Sequence, residues 1–319
     1  MSNRLIARHS MVGLASVLAL ALAACGGTGD ATSTDSGDEF LTDSAYVHAM
    51  PYRTQAERDA AQVRADAIIN AAGAHLSYFG GKVVQNAKVV QVIYGSGTYA
   101  AGVNSGTTNL GTFYTSILAS AYVDWLTEYN TTSPVQHIGR GTFGGKSTIT
   151  PLASRDGSTI SDANIKSEIS AQITAGHLPA PTNNTIYMIN FPKGKHISQG
   201  GSKSCVAGGF CAYHGTFKKG TQNVYYGVLP DMSAGSGCDV GCGNGSAFGN
   251  QTSVASHELI ETITDAEIGL ATVVGPPLAW YDSANGEIGD ICNAQQGSIN
   301  GYTVQKEWSN SSGACIVHK

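Results

Sequence analysis

Charge is scarce in this sequence: only 13% of its 319 residues are Asp, Glu, Lys or Arg, with 18 basic side chains against 23 acidic ones. That balance, without a basic stripe, argues against nucleic acid as a partner. Past the first 24 residues no apolar run is long enough to cross a bilayer. No internal repeat is present, so solenoid and propeller architectures drop out. A dinucleotide fingerprint is also missing, because Gly95-Ser96-Gly97 closes a strand with the wrong spacing. No propeptide or inhibitory cysteine switch is evident. Low charge combined with 40 glycines points to a loop-rich extracellular fold and away from a helical bundle.

What is present begins at the N-terminus. Arg4 and Arg8 precede an uncharged apolar run over 11–24, the pattern of a signal peptide over 1–24. The run closes on Leu22-Ala23-Ala24-Cys25, which resembles a lipobox, so Cys25 is the expected lipidation site and first mature residue. Plain secretion, with the alanines serving an ordinary peptidase, is the alternative. Residues 26–44 are rich in Gly, Ser, Thr and Asp, so 25–50 reads as a lipidated flexible tether. Residues 51–319 follow as one domain that starts with a helix over 54–75.

Seven cysteines leave one unpaired in an oxidising compartment. Assigning Cys25 to lipid leaves Cys205, Cys211, Cys238, Cys242, Cys292 and Cys315 for three bridges. Proximity suggests Cys205–Cys211, Cys238–Cys242 and Cys292–Cys315, among 15 pairings. Cys238 and Cys242 could instead join two other ligands around zinc, the weaker option in an exported glycine-rich loop.

Hydrophobic periodicity predicts strands at 87–94, 185–191, 212–214 and 223–229, and helices at 112–129 and 160–174. Strands separated by helices favour a mixed α/β sheet with flanking helices.

The chemistry concentrates further on. Residues 251–265 read as a helix capped by Thr252 or Ser253, with Leu259 and Ile263 on its apolar side. Residues four apart share a helix face, so His257, Glu261 and Asp265 form one polar row with Glu258 beside it. His257-Glu258 opens the zinc-peptidase motif His-Glu-x-x-His, but the second histidine is replaced by Glu261. Zinc accepts carboxylate oxygen, so the motif survives in weakened form and calcium becomes an alternative. Downstream, Asp282, Glu287 and Asp290 lie on a glycine-bearing loop before Cys292. Seven of the 23 acidic residues fall within 256–290, a density that favours a site over an ordinary solvated face. His214, on a strand, reads as a satisfied structural histidine that could also reach the site.

Four segments carry a resemblance: Cys211-Ala212-Tyr213-His214, Tyr225-Tyr226-Gly227-Val228, 253–265, and Glu287-Ile288-Gly289-Asp290-Ile291-Cys292. Over about 88–318 the chain resembles the phosphate-induced protein 1 or EXORDIUM-like proteins, secreted in plants and also found in bacteria. The resemblance implies association with the cell wall and a shared site at His257-Glu258 and 287–290, without an established activity. A lipobox at Cys25 departs from the plant pattern and suggests a bacterial member.

Together these readings predict a zincin-like α/β domain at the cell envelope, acting on an extracellular substrate such as a peptide. His257, Glu261 and Asp290 or Glu287 would hold zinc, with Glu258 as general base. The competing expectation is a non-catalytic cell-surface protein whose acidic cluster binds calcium or no metal.

Overall fold

The computed structural model describes residues 47, 49–66 and 73–319. The expected signal peptide, Cys25 and the tether up to residue 46 therefore lie outside the described residues.

A six-stranded sheet organises the body. Its strands are β1 (Met50–Pro51), β2 (Asn86–Tyr94), β3 (Gly139–Ile149), β4 (Thr185–Asn190), β5 (Phe210–Lys219) and β6 (Gln222–Leu229), in the order β1-β5-β6-β4-β2-β3. β6, β4, β2 and β3 run parallel, whereas β5 and β1 add antiparallel pairs at one side. Parallel pairing needs crossovers, and helices α2 (Leu110–Leu118) and α3 (Asp162–Thr174) supply them.

Period two divides the core. Val89, Ile93, Ile186 and Met188 face one layer with α2 and the long helix α4 (Ala247–Thr264). Val90, Val92, Tyr187 and Ile189 face the other, against Ile165 and Ile169 of α3. Covering both faces explains why β2 and β4 read as nearly continuous apolar runs. The expected mixed α/β class is therefore observed.

Three sequence expectations need correction. The helix anticipated over 112–129 breaks after Leu118, because Ser120 caps a new turn by accepting from Tyr122 N while its hydroxyl donates to Ile117 O. α1 (Gln55–Asp66) does not reach His75, whose backbone N–H donates to Asp282 instead. Two bridges also differ: the pairs are Cys205–Cys238 and Cys211–Cys242, with only Cys292–Cys315 as expected. The tight turn between Cys205 and Cys211 leads into β5, so their partners come from the helical turn at Cys238–Val240 and its exit. With both sulfurs in bridges, Cys238 and Cys242 are unavailable to zinc.

α4 is unusual in being enclosed on every side. It packs on β4, β5 and β6, and a hairpin of β7 (Gln296–Ile299) and β8 (Tyr302–Gln305) covers it from outside. Every residue from Gly249 to Thr264 is buried. Polar side chains on this helix must consequently find partners inside the protein.

Candidate metal centre

Ser246 caps α4, accepting from Gly249 N at 3.1 Å, two turns before the residues expected to cap it. The extra length carries the helix across the sheet and sets His257, Glu258 and Glu261 in its buried middle. Asp265 leaves the predicted polar row: the helix ends at Thr264, and the Asp265 carboxylate accepts from Ala279 N at 2.8 Å. Asp282 also stands apart as a turn residue, accepting from His75, Ala284 and Asn285 N–H groups.

The remaining predicted residues do converge. His257 Nε2 lies 3.2 Å from Glu261 Oε2 and 3.9 Å from Glu258 Oε1. The downstream loop enters from the side, where Asp290 N–H donates to Glu261 Oε1 at 3.1 Å and Asp290 Oδ2 accepts from Glu287 N. His214 is the residue that sequence reasoning underweighted. It reaches in from β5, with Nε2 3.0 and 3.1 Å from the two Glu287 oxygens and 3.8 Å from Glu261 Oε2. Its placement was in principle legible. Tyr213 and Phe217 pack into the α3-side core, so period two turns His214 to the α4 side.

Two three-residue ligand sets result, His257–Glu261–Asp290 and His214–Glu261–Glu287, with donor atoms inside each within 4.8 Å of one another. Glu261 belongs to both. Around a tetrahedral zinc with bonds of about 2.0–2.1 Å, donors sit ~3.4 Å apart. The contacts of 3.0, 3.2 and 3.8 Å bracket that spacing.

Two glycines make this density of side chains feasible. A Cβ on Gly289 would fall 2.5 Å from His257 Nδ1 and 2.8 Å from Glu261 Oε1. On β6, directly across from His214, a Cβ on Gly227 would strike Met188, with Glu258 Cβ only 3.6 Å away. Each is a close approach of backbone to the site that no other residue permits.

The electrostatics allow the carboxyls to be held by shared protons or by a cation. Glu258, Glu261, Glu287 and Glu307 are fully buried around the two histidines, and Asp290 is half-buried. Burial pushes the carboxyls of Glu258, Glu287 and Glu307 well above the usual range, and repulsion from Glu261 adds to it. Burial also drives His214 down to about 3, aided by His257. Burial works against a charged His257 too, but Glu261 and Glu258 outweigh it and raise its pKa well above normal. Neither Glu258 oxygen, nor His214 Nδ1, has a hydrogen-bond partner among the described residues. Buried carboxylates gathered this way are stable only when protonated or paired with positive charge. A divalent ion would replace the protons, and histidine nitrogen among the donors suits zinc better than calcium, which prefers oxygen alone.

Gln305, at the end of β8, faces His257: its Nε2 lies 2.6 Å from His257 Nδ1 and donates to Gly289 O at 2.8 Å. That amide orientation suits a neutral ring with its hydrogen on Nε2, whereas a protonated His257 carries a hydrogen on Nδ1 as well and needs the amide turned over. The amide oxygen of Gln305 is buried without a hydrogen-bond partner among the described residues. Rotating the amide would offer that oxygen to an Nδ1–H and release Nε2 as a ligand.

No family model, curated protein or solved structure matches the chain.

Proposed function

We propose that this chain is an exported, lipid-anchored, zinc-dependent hydrolase, a peptidase by preference, whose α/β domain is built in the manner of the zincins. The resemblance to the EXORDIUM-like proteins would make it a bacterial member of that group. Three disulfides fit an oxidising compartment outside the cytoplasm. The observation that carries the reading is the convergence of His214, His257, Glu261, Glu287 and Asp290 from three separate segments. Chance solvated residues do not gather in a fully enclosed interior.

When bound, zinc would polarise a scissile carbonyl and make a water acidic near neutral pH. The chain's own residues supply the rest. Glu258 is the buried carboxylate with both oxygens unsatisfied, next to His257 and outside both ligand sets. In this reading a metal's charge would keep Glu258 ionised, and it would take a proton from water and pass it to the leaving amine. Asp290, the half-buried member, marks the side from which solvent and substrate approach.

Complete burial of the other ligands favours a second reading, in which the cluster holds a structural ion in a non-catalytic envelope protein. One variant separates them. Glu258→Gln should keep zinc at the wild-type ratio and lose ~10²–10⁴-fold in hydrolysis of a peptide library. Retention of both zinc and hydrolysis removes Glu258 from the mechanism, and an inactive wild type with full zinc supports the structural reading.

A further inference from the structure

A small pocket of about 20 Å³ adjoins the cluster, and Gln305 is its shared wall. That volume holds little more than one water-sized group, which suits a single small polar terminus and not a whole ligand. Ser253, one helical turn before His257, also lines it, as does Asn293, three residues beyond Asp290. The remaining polar side chains of the lining are Arg53, Arg58, Asn244 and Gln296, and no acidic side chain contributes.

Local structure explains how two arginines come to face this pocket. Thr54 and Glu57 form a reciprocal cap at the start of α1, with Thr54 N–H donating to Glu57 Oε2 and Glu57 N–H to Thr54 Oγ1. The first turn of α1 then projects Arg58 inward, where it is only 5% exposed. Its guanidinium donates to Asn244 Oδ1, Val240 O, Arg53 O and Gln55 Oε1, all neutral acceptors. Among the described residues no carboxylate pairs with it. Arg53, half-buried beside it, donates among the described residues only through its Nε, to Asn293 Oδ1 at 3.3 Å. Asn293 is 7% exposed, and its Nδ2 has no hydrogen-bond partner among the described residues.

Arg58 is satisfied by its neutral acceptors and by the nearby charge of Asp59, but the orphaned Asn293 amide beside the Arg53 guanidinium is costly unless something fills the space. An anion with planar oxygens matches both, since arginine forks and amide N–H groups bind carboxylate well. We infer that this pocket binds a carboxylate group of the substrate, so that the neighbouring part of the molecule lies on the Gln305 side, toward the His257–Glu261–Asp290 set. This rests on the hydrolase reading for its catalytic consequence, but not for the binding itself. It names the substrate class as peptides carrying a carboxylate near the cleaved bond, at the chain terminus or on an acidic side chain.

The test is a calorimetric titration of the full chain, stripped of metal and separately loaded with zinc. Three probes are used: N-acetyl-alanyl-alanine, its C-terminal amide, and N-acetyl-alanyl-aspartyl diamide with a carboxylate on the side chain only. At least one acid should bind ten-fold or more tightly than the neutral amide, and the better acid identifies the source. Arg53→Gln and Asn293→Asp, each checked for native circular dichroism, should both abolish the preference. Arg53 is half-exposed and Asn293→Asp is isosteric, which spares the buried Arg58 contacts. Equal binding of acid and amide, no binding at all, or a preference unchanged in both variants overturns the proposal. Preference in the metal-stripped protein together with failure to bind zinc would instead sink the hydrolase reading and leave the pocket standing.

Discussion

Glu261→Gln is the perturbation that most directly probes the centre, because Glu261 alone belongs to both ligand sets. Glutamine keeps the shape and leaves an oxygen to accept from Asp290 N–H, the 3.1 Å contact that holds the downstream loop. At zinc 100-fold above its dissociation constant, the wild type gains about 2.7 kcal/mol of stability. For a domain of this size that is a rise of ~5–10 °C in Tm. Removing one partner from a buried charged set costs about 3–5 kcal/mol, or ~10²–10⁴-fold in affinity. At the same zinc concentration the stabilisation then falls below about 0.5 kcal/mol and the Tm rise to about 1 °C. Without metal, the variant loses the pairing of Glu261 with His257 but also relieves repulsion on Glu258, Glu287 and Glu307, so the zinc-dependent rise in Tm, and not the metal-free Tm, is the readout. Thermal unfolding with zinc and with chelator, beside elemental analysis of the purified protein, measures all of this. A Glu261→Gln protein that holds stoichiometric zinc and keeps the full Tm rise would refute the centre as drawn.

Gly289→Ala should disable zinc binding while adding only one methyl, because its Cβ would sit 2.5 Å from His257 Nδ1; overpacking of this kind costs about 1–3 kcal/mol. Wild-type zinc affinity and Tm in that variant would show that the loop does not press on the site. Replacing Cys292 and Cys315 by serine reopens a loop with a sequence separation of 23, a loss of about 3 kcal/mol in the chain-entropy model. Urea unfolding should register it, together with weaker zinc binding, because Asp290 lies just before Cys292. In Asp282, burial raises the pKa, but the N–H groups of His75, Ala284 and Asn285 outweigh it and hold the carboxyl below its usual range. A depressed native pKa adds stability that is complete above the unfolded value of about 3.9 and is lost as pH falls through the native value. Asp282→Asn should therefore flatten the acidic limb of a stability-against-pH curve below about pH 4, and an unchanged limb would show that the turn bonds contribute nothing.

The sheet and the nucleus of the site were legible because both are written locally. β2 and β4 announce themselves by branched and aromatic runs, and His257 and Glu261 share a face through helical spacing alone. What escaped depends on long-range closure. The pairing of Cys205 with Cys238 is set by where a helical turn lands against the start of β5, which proximity along the chain does not encode. Composition favoured a site on α4 through its acidic density, but it did not show that His257, Glu258 and Glu261 are enclosed by the hairpin of β7 and β8. That hairpin carries little apolar pattern to betray its role, yet it delivers Gln305 against His257. Enclosure is what converts these residues from ordinary surface charge into a centre: in water each carboxylate would be satisfied singly, whereas inside the protein Glu258, Glu261 and Glu287 need a common cation or shared protons. The same enclosure leaves the Arg53 and Arg58 pocket as the cavity that shares Gln305 with the centre.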